Sequence, residues 1–489
     1  MTALRLSIAA LACLASACSN APDAPRPNVL FVSLDSVRHD DLTPYGGAGM
    51  YTGATTTPAL AALAEQGVVF EQALSTTSWT LPSHMTMLTG MPDPVHGVTD
   101  NKRGLDSGVV TLAEALGEAG YATGGFYSGP NLHPIYGFSQ GFDVYANKSS
   151  NHPDLAVFSD PRPGAMMPVH RASHEDVTSP DLVAAADAFI TEQVAAGEPF
   201  FAFVHMWDPH YDYVAPAEHE ERFVREGFAR SPGGVTGTWE VDKHKRDWDA
   251  TSAGDLVALY HAELSYTDAY LAKLFARLDE LGIADDTLVV VVADHGEEFF
   301  EHGRWGHQRT LFDEVVRIPM ILRHPAQLPG GLRVPAQVGL QDLYATICDI
   351  TDVRLPAYAG PDTLFGESLR PYWEDPSLPG RDQLLHLDVP FRALELFGLR
   401  RATPDGVHKV VLDPRQVQAE VYDLQADPRE ANPRVVPRYT ASEDPLVRAA
   451  VRLAAEAKAA RAALPLVDGD VEVVLTPAER AELERLGYL

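Results

Sequence analysis

A large, doubly wound, mostly parallel α/β sheet with helices on both faces, followed by a small C-terminal α+β region with an antiparallel sheet, is the architecture this sequence predicts. Three observations carry that expectation. Two apolar, β-rich runs, Asn28 to Asp35 and Thr287 to Glu297, each lead into a carboxylate. Between them strand and helix signals alternate, the pattern of a parallel sheet covered on both faces. Past about Pro371 the texture changes to short candidate strands separated by turns.

The elements follow in order. Thr57-Pro58 is an N-cap with Pro at the first helical position, opening a helix over Ala59 to Glu65 that Gly67 stops. Val68-Val69-Phe70 is strand-like. Thr111 to Gly120 reads as a helix closed by Gly, and Tyr121 to Tyr127 as the next strand. Ser179-Pro180 starts a helix running to about Ala196, Phe200 to His205 is a buried strand, and a long amphipathic helix covers roughly Ala253 to Leu281. The strand Thr287 to Ala293 comes next. Asn147 to Pro180 and Glu218 to Asp249 read as long loops or insertions. Farther on, Phe397 to Arg401, His408 to Leu412 and Glu420 to Leu424 are candidate strands, with a turn at Pro404-Asp405-Gly406. Thr476, with Glu479 as its capping-box partner, opens a terminal helix. The expected organisation is a signal at 1–18, a linker at 19–27, the α/β domain at 28–375 and the C-terminal α+β domain at 376–489.

The chain has 489 residues, of which 45% are hydrophobic and 22% charged, ordinary for a globular protein with a full core. Its formal net charge of -30 argues against nucleic acid as a partner, because phosphate backbones need clustered Lys and Arg. An anionic substrate must then be attracted locally, by metal, His and Arg. At the N-terminus, Arg5 precedes an apolar stretch from Leu6 to Ala17, an export signal too short to span a bilayer. Leu14-Ala15-Ser16-Ala17-Cys18 resembles a bacterial lipoprotein cleavage site, so the protein is expected to be exported, to the periplasm or the outer membrane, with a membrane tether through Cys18. Apart from Cys13 and Cys18 the chain holds one cysteine, Cys348, so the body of the protein contains no disulfide.

Chemistry concentrates at the two strand ends. In open parallel sheets ligands gather outside the carboxyl ends of the strands, so Asp35 and Asp294 are expected to converge. With His295 they offer two hard oxygens and an imidazole, a mixture suited to Zn or Mn, and to Ca through the carboxylates. Thr80, in Ser78-Trp79-Thr80-Leu81-Pro82-Ser83-His84, sits at or just before a helix start, where unpaired N–H groups favour an anionic tetrahedral group. A metal-bound hydroxyl there would be acidified into a nucleophile.

These motifs together resemble the sulfatase family of the alkaline phosphatase superfamily. Asp35-Ser36-Val37-Arg38-His39-Asp40 with Tyr45-Gly46 looks like the family's opening motif. Thr80-Leu81-Pro82-Ser83-His84 with Leu88-Thr89-Gly90 is similar to its Cys/Ser-x-Pro-Ser-Arg signature. Asp294-His295-Gly296-Glu297, Gly306-His307 and Asp313 to Pro319 resemble the later metal and substrate motifs, and Val421 to Asn432 the small-domain signature. There are departures. Sulfatases carry at the Thr80 position a Cys or Ser that is oxidised to formylglycine, an aldehyde that Thr, with its extra methyl, cannot give. His84 stands in place of Arg, Ser36 in place of a second acidic ligand, and His295 and His307 where Asn and Lys are common.

The resemblance implies one divalent metal ion (Zn, Mn or Ca) held by Asp35, Thr80, Asp294 and His295, and no formylglycine. It also places His210 in the pocket and His84 beside the nucleophile. His307, titrating near neutrality, is the candidate general acid. His205 is a weaker candidate for the pocket, and Asp208 for a second ion; Arg38 and Arg317 read as structural ion-pair residues. The expected function is a metal-dependent hydrolase of sulfate or phosphate esters, whose substrate is an anionic ester on a glycan, a lipid or a small molecule. The alternatives are a phosphodiesterase or phosphotransferase acting on cell-envelope lipids or glycans, and a catalytically degenerate glycan-binding domain.

Overall fold

The computed structural model describes residues 26–148, 177–228, 250–356, 364–403, 405–474 and 477. The expected signal, most of the linker, most of the two long loops and the helix expected at Thr476 lie outside these residues.

Eight strands form the main sheet: β1 (Asn28–Leu34), β2 (Val68–Leu74), β3 (Ala122–Tyr127), β4 (Val144–Asn147), β5 (Phe200–Met206), β6 (Thr287–Ala293), β7 (Arg317–Arg323) and β8 (Leu332–Gly339), in the order β8-β2-β7-β6-β1-β5-β3-β4. Only β7 runs antiparallel to its neighbours, β2 and β6; the other pairings are parallel. The sheet is therefore mostly parallel, as expected. Its central strands are buried along their whole length, which is why β6 reads Thr-Leu-Val-Val-Val-Val-Ala with no polar alternation.

Six helices matter for the sheet: α1 (Pro58–Gln66), α2 (Thr80–Thr89), α3 (Leu112–Glu118), α4 (Ser179–Ala196), α5 (Ala250–Glu280) and α6 (Asp342–Ile350). Helix α3 starts with a full capping box, Thr111 and Glu114 each accepting from the other's backbone N–H. Thr57 precedes α1 as read, but its hydroxyl accepts from Thr43 N instead of capping the helix.

The smaller sheet is antiparallel in sequence order: β9 (Gln383–Val389), β10 (Leu394–Thr403), β11 (Gly406–Asp413), β12 (Gln418–Asp423) and β13 (Arg434–Pro437). β9, β13 and the helix packed on this sheet, α7 (Pro445–Ala463), were not anticipated. Asp444 caps α7 by accepting from Leu446 N and Val447 N. Its buried face is Val447, Ala449, Ala450, Leu453, Ala457 and Ala460, a stripe too alanine-rich to stand out in the sequence.

The two sheets meet at a charged seam. Lys409, with no exposure, contacts Asp313 (2.5 Å), Glu430 (2.8 Å) and the Leu311 carbonyl (2.9 Å). Arg400 adds a 3.0 Å contact to Asp313. On the other side of the seam, His386 N donates to Thr76 O at 2.7 Å, on the loop that leads into α2.

Candidate active site

Strand register brings the two carboxylates together. Leu34 pairs with Ala293, so Asp35 and Asp294 leave adjacent strands side by side. Asp294 N donates to Leu34 O (3.1 Å) and Asp35 N to Met206 O (3.0 Å), tying both exits to the sheet. Ser36 then turns through the left-handed region at φ 57 and aims its N–H at Asp294 Oδ1, 2.9 Å away. His295 N donates to the same oxygen at 2.7 Å, and Ser36 Oγ donates to Asp35 Oδ1 at 2.7 Å. One oxygen of each carboxylate is thus committed. Asp35 Oδ2 and Asp294 Oδ2 are buried without a hydrogen bond. Gly296 is required just beyond, because a Cβ there would lie 2.1 Å from Glu314 O.

Donor atoms of Asp35, Asp294 and His295 lie within 4.8 Å of one another. His295 Nδ1 donates to Gly296 O at 2.8 Å, which leaves Nε2 with its lone pair facing Asp294 Oδ2 at 3.4 Å. Burial, then the charge of Asp35, pushes the Asp294 carboxyl well above its ordinary range. Burial also acts on Asp35, but His210, His205 and His295 outweigh it and hold that carboxyl well below. Two bare carboxylate oxygens and an imidazole lone pair, buried together and in mutual repulsion, fit a divalent cation.

Thr80 is the first residue of α2, and its Oγ1 is 3.2 Å from His295 Nε2. The helix start is pinned by Ser83 Oγ, which donates to Asp294 O at 2.6 Å. One turn on, His84 Nδ1 donates to Thr80 O (2.8 Å) and its Nε2 accepts from Ser33 Oγ (2.6 Å). Both His84 nitrogens are therefore engaged inside the protein. Burial, then His205, keeps this imidazole neutral, well below its usual pKa.

His307 and His210 complete the cluster. The His307 ring is 4.4 Å from that of His295 and 5.3 Å from that of His210, and its Nδ1 is 3.0 Å from Glu297 Oε1. Burial lowers His307 to about 4, so it does not titrate near neutrality as expected, and burial with His307 lowers His295 to about 4. His210 stacks on Trp207 at 4.0 Å and donates Nδ1–H to Tyr211 O. Ser33 and Glu297 do not stand out in the sequence as individual residues. Glu297 was visible only as part of a motif, and Ser33 only as one apolar-run position among many.

Two lesser readings are decided by partners. Asp208 accepts from Thr178 N, Thr178 Oγ1 and Ser179 N at 2.6–2.9 Å, so it caps α4 and is not available to a second ion. Arg38 is an ion-pair residue, bound to Asp41 and Glu301. Arg317 donates to Glu71 O and pairs with Asp40 at 3.7 Å.

Comparison with known proteins identifies the family. A family model described as Sulfatase matches residues 27–353. The chain is 25% identical over 381 residues to an ulvan-active sulfatase of Formosa agariphila, covering 75% of this chain and 69% of the relative. It is 22% identical over 503 residues to an N-acetylglucosamine-6-O-sulfatase of Bacteroides thetaiotaomicron, covering 88% and 86%. Among solved structures, one in complex with its substrate D-glucosamine-2-N,6-O-disulfate superposes with a TM-score of 0.66 at 19% identity, over 90% of this chain and 98% of the other. The phosphonate monoester hydrolase of Agrobacterium radiobacter superposes with a TM-score of 0.65 at 23% identity, over 89% and 96%. The chain belongs to the sulfatase family and is an ester hydrolase.

Proposed function

We propose that this chain is a metal-dependent hydrolase that uses Thr80 itself as nucleophile, in place of formylglycine, and that it turns over phosphate esters, diesters above all, faster than matched sulfate esters. The observation that carries this reading is the position of Thr80 Oγ1, at a helix N-terminus and 3.2 Å from His295 Nε2, beside the bare oxygens of Asp35 and Asp294. Asp35, Asp294, His295 and Thr80 would hold the ion. Bound there, a divalent cation supplies charge neutralisation for the ester's non-bridging oxygens and lowers the pKa of the Thr80 hydroxyl.

The protein's own groups do the rest. Thr80 Oγ1, its hydroxyl proton released to bulk water, attacks phosphorus in line, forming the Oγ–P bond as the bond to the leaving oxygen breaks. His210, held at Nδ1 by Tyr211 O, or His307, held at Nδ1 by Glu297 and charged only once the anionic ester lies beside it, donates a proton to the leaving oxygen. The same imidazole, now neutral, takes a proton from the water that attacks phosphorus and frees Thr80. Burial of the whole cluster excludes competing water until the ester is bound. A formylglycine hydrate expels sulfate by elimination; Thr80 carries no second hydroxyl and must be released by a second attack, which favours phosphorus over sulfur. The similar proteins include both sulfatases and a phosphonate monoester hydrolase, so the scaffold is compatible with either acid.

Kinetics on a matched pair of aryl phosphate and aryl sulfate esters test the reading. Phosphate turnover should exceed sulfate turnover, and Thr80→Ala should lose at least about two orders of magnitude in kcat. A sulfate rate well above the phosphate rate, lost in Thr80→Ala, would overturn it.

A further inference from the structure

His205 lies wholly buried on β5, and neither of its ring nitrogens makes a hydrogen bond. An imidazole that merely fills a core is normally satisfied by a carbonyl or a hydroxyl, because a buried polar atom without a partner is costly. What the structure sets beside His205 is Asp35 Oδ2, 3.4 Å from Nε2 and itself without a hydrogen bond. The ring is also held from the side. His205 is the cross-strand partner of Ser33, and Ser33 Oγ bonds the Nε2 of His84, whose ring meets that of His205 edge-on at 4.5 Å. His84 is in turn fixed to Thr80 O. A chain of contacts therefore runs from the first turn of α2 through two imidazoles to the carboxylate at the end of β1.

We propose that His205 is a positioning residue for Asp35, its Nε2 edge set against Oδ2 so that the carboxylate is kept in the orientation in which it binds a divalent cation. A carboxylate oxygen has two lone-pair directions, one for the imidazole N–H and one for the ion. At 3.4 Å the contact is longer than a full hydrogen bond, and its role is to orient charge. Partners of this kind behind a liganding carboxylate set metal affinity by roughly 10–100-fold. The inference rests on the cation site proposed above.

The test compares the wild type with His205→Phe and His205→Gln, each stripped with chelator and titrated with Mn²⁺ or Zn²⁺ against a competing chelator. His205→Phe should weaken cation affinity by about 10–100-fold and raise the half-activating cation concentration by the same factor. His205→Gln, whose amide N–H can face Oδ2, should recover most of both. Thermal midpoints of the stripped proteins should differ less than those of the loaded proteins, a split that a purely structural role would not produce. Unchanged affinity in His205→Phe overturns the proposal while leaving the cation site standing. A fall of one bound ion per chain in that variant also overturns it, since His205 would then be a ligand. A wild type that binds no cation removes the site and this role together.

Discussion

Asp35 and Asp294 divide their oxygens in the same way, one committed to the surrounding N–H and O–H groups and the other left bare. That division ties the metal assignment to particular atoms. Asp294→Ala removes one bare oxygen and also the acceptor of Ser36 N and His295 N, so the purified variant should contain far less divalent metal than the wild type, and chelation of the wild type should abolish turnover. Elemental analysis reads the first and an ester assay the second. Full occupancy in an active Asp294→Ala protein would sink the assignment. The bare oxygens could not be read from the sequence. A strand-end Asp shows where a carboxylate is placed, not which of its oxygens the neighbours consume.

Among the elements, the seam between the two sheets carries the sharpest stability argument. Lys409 is buried with two carboxylates and a carbonyl around it, and one of those carboxylates, Asp313, is held well below its ordinary range because Arg400 and Lys409 outweigh its burial. Lys409→Met keeps much of the volume but strands Glu430 and half of the Asp313 pairing in the interior. Removing one partner of a buried ion cluster typically costs about 3–5 kcal/mol, and the denaturation midpoint should fall accordingly. A loss below about 1 kcal/mol would mean that the carboxylates relax to water or take up protons, the behaviour of an exposed pair. Because Lys409 also holds Leu311 O, and Ser78 Oγ holds Thr310 O, the segment after His307 is gripped from both sides. The small sheet is thus continuous with the loop that delivers Thr80.

For the whole molecule, acid stability follows from buried histidines that fold in the neutral form. Burial, then Arg461, lowers His96 to about 3, and burial lowers His133 to about 4, against about 6.5 when unfolded. Both folded values lie below the unfolded ones, so their stabilisation is full above about pH 6.5 and is lost as pH falls toward the folded values, at about 1.4 kcal/mol per pH unit for each group at most. Carboxyls raised by burial act the other way: Asp268 reaches about 6 and Glu298 about 7. The net curve mixes the two, so a difference isolates one group. His96→Gln keeps an acceptor for Val98 N and has nothing to protonate. Between pH 7 and pH 4 its thermal midpoint should fall less than that of the wild type. Parallel curves would show that His96 does not carry this linkage.

The sequence by itself determined the parts of this protein that are local or periodic. The apolar runs of β1 and β6, the Ser179–Ala196 helix at its observed bounds and the mostly parallel sheet all follow from burial pattern and capping chemistry within a few residues. So does the placement of Asp35, Thr80, Asp294 and His295 at element ends, since an α/β sheet exposes chemistry there. Tertiary structure decided what depends on partners distant in sequence. Asp208 became a cap because the start of α4 arrives beside it, and β9 became a strand because β10 pairs with it although its own residues do not alternate. It also set His205 against Asp35, through a parallel register joining strands about 170 residues apart. Pairing across such distances is fixed by packing and register summed over whole sheets, and no short window of residues contains that information.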